Sequence, residues 1–306
     1  MEVESLIDKI LKLKKERNAV ILVHNYQRPE VQDIADFLGD SLGLSIEAAK
    51  TKAEVIVFCG VHFMAETAAI ICPDKTVIMP EVNAGCPMAD MITAEKLRNF
   101  KLQNPKAPVV CYVNTTAEVK AESDVCCTSA NAAKVVSSLP EEEIIFIPDK
   151  YLGINTQKKV PEKKLILYNG YCPTHLKILP EHIQKAKAEH PEALVVVHPE
   201  CRPEVTSLAD AVVSTGGMVK FVKESKASEF IIGTETGIIY RLQKENPEKK
   251  FYPATPLAVC PNMKMTTLEK VLWSLEEMKT VISVPEEIRL KAKKAIDRML
   301  EIGRQD

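Results

Sequence analysis

The stretches VILVHNYQRPEVQDIAD (residues 20–36), VVCYVNTTAEVKAESD (residues 109–124) and VVVHPECRPEVTSLAD (residues 195–210) decide the fold. Each begins with a short run of apolar, mostly β-branched residues, continues through a polar loop and enters a helical segment that ends in Asp. When the final Asp residues are aligned, the offsets are 88 and 86 residues. A unit that recurs three times predicts three copies of one supersecondary structure.

The register of this repeat can be tested on residues that were not used to set it. It aligns three sets of polar residues in or just beyond the loops: His24 with Tyr112 and His198, Tyr26 with Asn114 and Glu200, and Ser41 with Ser129 and Thr215. Side chains that can transfer protons or bind ligands therefore recur at equivalent positions. This recurrence favours one site that draws on all three units.

Three of the nine cysteines follow the same period. Cys86, Cys172 and Cys260 are separated by 86 and 88 residues, and each is followed by Pro. An odd number of cysteines without a CxxC pair argues against a disulfide framework, a zinc ribbon and a thioredoxin-like motif. We therefore treat these three cysteines as candidate metal ligands.

The remaining cysteines lack this regular spacing. Cys59 and Cys111 lie in apolar, strand-like runs, where Cys behaves as a small buried hydrophobe. Cys201 lies in HPECRP, close to the repeated loop, but its equivalents in the other units are Gln27 and Thr115. We therefore leave Cys201 out of the ligand set.

The order of apolar runs and helical patterns predicts an α/β fold with parallel sheets covered by helices. In the first unit we expect strands at 20–23, 55–59 and 76–79 and helices near 30–37, 42–52 and 63–71. The predicted architecture is three homologous, three-layer αβα units around a pseudo-threefold axis, with boundaries at 1–105, 106–191 and 192–306. A last strand at 281–284 and a packing helix at 285–302 complete the third unit.

Ligands of parallel α/β sheets bind beyond the carboxyl ends of the strands. Since the repeated polar residues follow the strands, three units around one axis would direct them, and the three cysteines, into one central active site. Ser41, Ser129 and Thr215 fall at predicted helix starts, where free backbone N–H groups and the helix dipole favour anions. The glycines that follow Thr215 would let the backbone approach a phosphate closely.

Three converging thiolates could hold zinc or an iron–sulfur cluster. A structural zinc site usually has four protein ligands, and no fourth cysteine is equally placed. A [4Fe–4S] cluster on three cysteines would keep one iron open as a Lewis acid. A different metal, or three cysteines that are merely buried, are the alternatives.

The overall composition, 46% apolar and 27% charged, is that of an ordinary globular protein. A formal charge of −2 without long Lys/Arg runs gives no sign of nucleic-acid binding. No apolar run approaches the roughly 20 residues that cross a bilayer, and residues 1–17 lack the apolar core of a signal peptide. We therefore expect a cytoplasmic protein that contacts neither nucleic acid nor membrane.

The segments VHNYQ, AGCPMAD, GYCPTH, VVVHPEC, STGGM, IGTETG and VCPNMKMTTLE together closely resemble quinolinate synthases. The resemblance spans nearly the whole chain. It implies one [4Fe–4S] cluster and the condensation of iminoaspartate with dihydroxyacetone phosphate to quinolinate, phosphate and two waters, in NAD biosynthesis. It also implies a functional link to an aspartate-oxidising enzyme that supplies iminoaspartate.

This chemistry requires proton transfers and the binding of two anionic substrates. We expect Tyr26 and Glu200 to act as the principal acid and base, assisted by other cavity side chains. The full expected catalytic set is Tyr26, Glu200, Tyr112, His198 and His175, and the expected substrate-binding set is His24, Ser41, Asn114, Ser129, Ser214 and Thr215.

Two other functions remain open. A three-cysteine cluster reductase of isoprenoid synthesis would need an external electron donor and a diphosphate substrate. A zinc-binding or small-molecule-binding protein would carry out no catalysis. The synthase reaction is redox-neutral, so electron demand and metal content separate the three.

Overall fold

The structure is a computed structural model that describes residues 3–306. Its strands form three four-stranded sheets, and all strand pairs within them are parallel. The strands are β1 Ala19–His24, β2 Phe37–Gly39, β3 Val55–Cys59, β4 Thr76–Ile78, β5 Val109–Tyr112, β6 Val125–Cys127, β7 Glu143–Ile147, β8 Lys164–Leu167, β9 Leu194–Val197, β10 Ala211–Val212, β11 Glu229–Gly233 and β12 Lys250–Pro253. The sheet orders are β2-β1-β3-β4, β6-β5-β7-β8 and β10-β9-β11-β12. Each sheet thus repeats the same topology, and the predicted α/β class with three units is confirmed.

The helices alternate with these strands. They are α1 Val3–Glu16, α2 Pro29–Asp33, α3 Ser41–Lys50, α4 His62–Ile71, α5 Ala94–Gln103, α6 Ala117–Ala121, α7 Ala132–Ser137, α8 Lys150–Lys159, α9 Pro180–Glu189, α10 Pro203–Thr206, α11 Thr215–Glu224, α12 Ile238–Glu245, α13 Leu268–Glu277 and α14 Glu286–Ile302. Short 3-10 helices occupy Ala89–Met91, His175–Lys177 and Asn262–Lys264, one after each sheet.

The Asp residue that ends each repeat has the same structural role in all three units. Its Oδ2 atom accepts a hydrogen bond from a backbone N–H in the first strand, and its own backbone N–H donates to the carbonyl of that same strand residue. The pairs are Asp36 with Ile21, Asp124 with Val109, and Asp210 with Val195, with side-chain bonds of 2.8, 2.8 and 2.7 Å. The repeated Asp therefore fixes the point at which the chain returns to the sheet for its short second strand.

The helix at the end of each unit packs beyond its own sheet. Helix α9 contacts β11 of the third sheet, and its Ile183 lies in one apolar cluster with Val195 and Ile231. Helix α13 packs with α1 on the first sheet, where Leu272 joins a cluster that contains Val57. A helix of the third unit thus covers the first sheet. From the first unit, Phe100 of α5 contacts Tyr168, which follows β8 of the second sheet, edge to face at 5.8 Å. Each unit therefore contacts the next one, and the three form a ring. The boundaries 1–105, 106–191 and 192–306 stay a prediction.

Two secondary-structure predictions were wrong. The helix expected near 30–37 ends at Asp33, because the chain turns there to place Asp36 and continue into β2. The strand expected at 281–284 is a single antiparallel bridge between Val281 and Ile78, shortly before Pro285 redirects the chain. The packing helix is confirmed as α14, whose buried face includes Ala295 and Met299. Within residues 3–306, no helix combines the length and apolar character needed to cross a membrane.

Candidate active site

A central cavity lies beyond the carboxyl ends of β1, β5 and β9. It offers about 220 Å³ to the centres of water-sized molecules, many times the roughly 10–15 Å³ that one water needs. All nine residues of the three repeated polar sets line it, and so do Cys86, Cys172, Cys260 and His175. The register read from the sequence therefore brings its residues to one place.

Local structure explains why these residues face the cavity. The first strands are buried apolar runs, and the first polar residue falls where each strand ends. His24 is the last residue of β1, Tyr112 is the last residue of β5, and His198 directly follows β9. The second polar set follows two residues later, and its members Tyr26 and Glu200 are also buried.

The three repeated cysteines occupy equivalent loops. Each lies between the last strand of a sheet and the 3-10 helix that follows. These three are partly buried, whereas the other six cysteines of the chain are fully buried in the structure. Cys201, for example, packs in the apolar cluster of the third unit and its thiol points to the carbonyl of Gly233. Only the repeated cysteines thus lie on the cavity.

The spacing of these three sulfur atoms bears on the metal they could hold. Among the described residues, only Cys172, His175 and Glu200 place three ligand atoms within 4.8 Å of one another. At least one pair of the three cysteine sulfurs therefore lies farther apart. A tetrahedral zinc with Zn–S bonds of about 2.3 Å would hold its sulfurs about 3.8 Å apart. As positioned in the structure, the three sulfurs are spaced more widely than those around one zinc ion, which suits a cluster whose separate metal atoms bind separate thiolates.

The protonation of the cysteines supports the same interpretation. Burial, with smaller contributions from nearby Glu200 and Cys260, raises the pKa of Cys86 to about 12. Burial likewise raises the pKa of Cys172 and of Cys260. Without a metal ion these side chains would remain neutral thiols, and metal binding would release their protons. The donor set suits a thiophilic metal centre.

Glu200 is in contact with several other polar groups of the cavity. The hydroxyl of Tyr112 donates to its Oε1 atom at 2.6 Å, and Nδ1 of His175 approaches its Oε2 atom to 2.7 Å. Burial alone would raise the pKa of Glu200, but His175, His198 and these contacts together hold it well below its usual value. Glu200 is therefore an ionised carboxylate at neutral pH.

Two hydrogen bonds and one short ion-pair contact link Tyr26 to this carboxylate. The Tyr26 hydroxyl lies 2.5 Å from Oγ1 of Thr234, which lies 2.8 Å from Nε2 of His175. Since Nδ1 of His175 faces Glu200, Nε2 is free to accept from the Thr234 hydroxyl. Burial, with the Glu200 charge, raises the pKa of Tyr26, which keeps the phenol protonated at rest. We call this chain, Tyr26–Thr234–His175–Glu200, the relay.

Another part of the cavity wall has the features of an anion site. Ser41 begins α3 and Thr215 begins α11, and the caps Asp40 and Ser214 each accept from a backbone N–H of their helix. Asn25 donates to the Thr215 hydroxyl at 3.0 Å and so fixes its orientation. Two helix N-termini from different units therefore meet at one place on the wall.

The sequence matches one known protein family over nearly its whole length. The family described as "Quinolinate synthetase A protein" matches residues 8–301. The chain belongs to this family.

Similar proteins named "Quinolinate synthase" agree with the assignment. The chain is 60% identical over 300 residues to the one from Thermodesulfovibrio yellowstonii, which covers 98% of this chain and 99% of the relative. It is 61% identical over 302 residues to one from Dehalococcoides mccartyi (99% of this chain, 100% of the relative). It is 57% identical over 302 residues to one from Methanosarcina barkeri (99% of each). The fold and cavity described above are thus those of a quinolinate synthase family member.

Three residues of the expected substrate-binding set are placed in ways that the sequence did not predict. Ser129 is not at a helix start, because it lies in a turn three residues before α7, and its hydroxyl contacts Nε2 of His198 at 3.1 Å. Ser214 does not line the cavity. It is fully buried and its Oγ accepts from the Gly217 N–H as the cap of α11. Asn114 does line the cavity, and its buried Oδ1 atom has no hydrogen-bond partner among the described residues.

The two histidines of the first repeated set are neutral groups in this family member. Burial lowers the pKa of His24 to about 4 and that of His198 to about 3, more than nearby carboxylates raise them. At neutral pH they can donate or accept single hydrogen bonds but carry no positive charge.

Sequence reasoning missed Thr234. It follows β11 directly, within the IGTETG segment, but its equivalents in the other units are Gly60 and Pro148, so the repeat gave no signal there. Its position at a strand end, before a Gly-containing turn, was the only available indication.

Proposed function

We propose that this chain condenses iminoaspartate with dihydroxyacetone phosphate to quinolinate, phosphate and two waters, in the cytoplasm. The names of its relatives support the product, and the carboxylate-linked relay supports the chemistry. The relay is the single observation on which the proposal most depends. Loss of two waters and closure of a ring require protons to be taken from carbon or nitrogen and delivered to leaving oxygens.

We also propose that Cys86, Cys172 and Cys260 hold one [4Fe–4S] cluster. Their donor type, partial burial and wide spacing all fit such a cluster. When bound, a cluster with one iron free of protein ligands would supply a Lewis acid for hydroxyl or carboxylate oxygens. The alternative donor group, Cys172 with His175 and Glu200, is less suited to a metal because His175 and Glu200 already contact each other.

The relay residues divide the proton transfers between them. Tyr26 holds the reacting proton at its phenol oxygen, at the cavity surface. Thr234 passes its own hydroxyl proton to Nε2 of His175 as it receives the one from Tyr26, and the ionised Glu200, which faces Nδ1–H, stabilises the imidazolium that results. This division is that of a general acid or base oriented by a buried carboxylate. Tyr112 holds the Glu200 carboxylate in place from the other side.

The remaining polar residues bind and orient the substrates. Two helix N-termini, at Ser41 and Thr215, suit the phosphate or a carboxylate. The unpartnered Oδ1 of Asn114 suits a hydrogen-bond donor on the substrate, such as an imine or amine N–H. Enclosure of the cavity by all three units would keep water from the imine. Since an imine hydrolyses readily in water, we expect an aspartate-oxidising enzyme to supply it as a functional partner.

The decisive experiment is anaerobic turnover of iminoaspartate with dihydroxyacetone phosphate by the purified protein. We expect quinolinate and phosphate in equal amounts without any added electron donor. Turnover that appears only with an external reductant and a diphosphate would instead favour the isoprenoid-type reductase. A colourless protein with one zinc and no turnover would refute the synthase proposal and favour a binding protein.

A further inference from the structure

The buried carboxylate of Asp40 lies at the anion side of the cavity. Asp40 caps α3, is 6% exposed and lines the cavity next to Ser41. A negative charge at this point would repel the anionic substrates of the proposed function, on which this inference rests. Some other group must offset that charge if an anion is to bind here.

Arg304 supplies the opposite charge from outside the repeat. Its NH2 group donates to both carboxylate oxygens of Asp40, at 2.7 Å each. Burial would raise the pKa of Asp40, but Arg304 and the Gly43 N–H hold it below its usual value, so the carboxylate is charged. Arg304 itself does not line the cavity. It contacts the cap residues of the site instead, chiefly Asp40 and, at 3.5 Å, the hydroxyl of Ser214.

Arg304 belongs to a short segment, residues 303–306, that contacts all three units. Arg304 contacts Asp40 in the first unit, and the Gln305 N–H donates to the Ala130 carbonyl in the second at 3.0 Å. Asp306 accepts from the Ser214 N–H in the third unit at 3.0 Å and pairs with Arg304 at 2.9 Å. The segment is therefore held at the cap positions that border the anion site.

The glycines after Thr215 are explained by this segment. A Cβ atom on Gly216 would lie 2.5 Å from Oδ2 of Asp40 and 2.6 Å from NH1 of Arg304, and one on Gly217 would lie 2.6 Å from Oδ2 of Asp306. Both approaches are closer than carbon and oxygen or nitrogen tolerate. The sequence predicted that these glycines admit a phosphate, whereas the structure shows that they admit the Arg304–Asp40 pair and Asp306.

Glu235, another carboxylate of the cavity, is compensated in the same way. It pairs with Lys264 at 3.0 Å, whereas the Glu200 carboxylate is held by the Tyr112 hydroxyl and faces His175. Among the described residues that line the cavity, Lys177 is the one lysine or arginine. With three carboxylates and one permanent cation on its wall, the cavity accepts an anion more readily where the nearest carboxylate is paired with a cation.

We propose that Arg304 is a positioning residue that sets the affinity for the phosphate-bearing substrate by cancelling the charge of Asp40. Removal of Arg304 would leave an unpaired carboxylate beside the anion. A like charge about 10 Å from a bound anion, at an effective dielectric constant of about 20, weakens binding roughly tenfold. Removal of both charges together should restore the affinity.

The test measures binding of dihydroxyacetone phosphate to the anaerobically purified holoprotein by calorimetry. We expect Arg304→Met to weaken binding roughly tenfold, Arg304→Lys to stay within about threefold of the parent protein, and Arg304→Met/Asp40→Asn to return to within about threefold. Asn still caps α3, so the double variant isolates the charge. Lys291→Met, which removes one exposed cation of α14 paired with Glu287, should leave binding unchanged.

The outcomes separate this inference from the proposed function. Unchanged binding by Arg304→Met would overturn it, and so would a double variant that binds as weakly as Arg304→Met, since a purely structural role predicts no rescue. If the charge-dependent pattern appears but the parent protein makes no quinolinate, the proposed reaction fails while the role of Arg304 stands. Failure of every variant to bind, with the parent protein binding normally, would also refute the inference.

Discussion

The outer ends of the repeated loops carry the same residue in all three units, whereas the cavity ends carry different ones. At the outer end, Asp36, Asp124 and Asp210 are identical and make the same two hydrogen bonds to the first strand. At the cavity end, equivalent positions carry different chemistry, such as Tyr26 where the third unit has Glu200. Three equal units thus build an asymmetric site. The difference shows that the repeated Asp residues fix the backbone of each unit, whereas the residues at the cavity end determine the chemistry of the site.

The largest expected effect at the cavity end comes from Glu200→Gln. Gln keeps the shape but not the charge that orients His175, so we expect turnover to fall about 10²- to 10⁴-fold with iron content unchanged. The measurement is the rate of quinolinate formation alongside iron analysis. Glu204→Gln, an exposed neighbour in α10, is the matched control. Normal turnover by Glu200→Gln would show that the relay does not need the charge of Glu200.

Acid stability should also depend on the cavity end. Burial lowers the pKa of His24 to about 4, below the unfolded value of about 6.5. Between these values the unfolded chain binds more protons, so the free energy of unfolding rises with pH through this window and levels off above it. His24→Asn should remove roughly 3 kcal/mol of that rise. Urea unfolding at several pH values measures it, and an unchanged slope would contradict the buried, neutral His24.

A smaller loss is expected where the relay passes through an uncharged group. Thr234→Val keeps the shape but removes the hydroxyl between Tyr26 and His175, and we expect turnover to fall about 10- to 100-fold. Thr234→Ser keeps the hydroxyl and should retain most activity. Steady-state rates of both variants provide the check. Equal losses in the two would mean that packing, rather than the hydroxyl, matters at this position.

The smallest effect is expected at the outer end. Asp210→Ala removes one acceptor from the Val195 N–H and should lower the free energy of unfolding by about 1 kcal/mol. Turnover should stay within about twofold, because Asp210 does not line the cavity. Denaturant unfolding and a rate assay on the same preparation measure both. If turnover of the folded Asp210→Ala variant falls beyond that twofold range, the separate roles of the outer end and the cavity end would be contradicted.

The repeat explains how much of this molecule could be predicted from the sequence. Residues that recur, such as Cys86 and His198, were placed correctly on the cavity because the units share one topology. Short strands such as β10, of only two residues, carry too little apolar pattern to be seen. Thr234 and Arg304 were missed for a different reason. Neither has an equivalent residue in the other units, and their contact partners, His175 and Asp40, are distant in sequence.

The six remaining cysteines give the comparison its clearest internal control. Cys172 lines the cavity and is only partly buried, whereas Cys201, just after β9 in the third unit, is fully buried in an apolar cluster. The two residues share chemistry and differ only in where the fold places them. Substitution of each by Ser therefore tests placement rather than residue type.

The central claim is that the three repeated cysteines hold one cluster, and iron and acid-labile sulfide per chain after anaerobic purification test it most directly. We predict about four of each in the parent protein, loss of most of both in Cys172→Ser, and retention in Cys201→Ser. Stoichiometric zinc without sulfide in the parent protein, or full iron and sulfide in Cys172→Ser, would contradict the account.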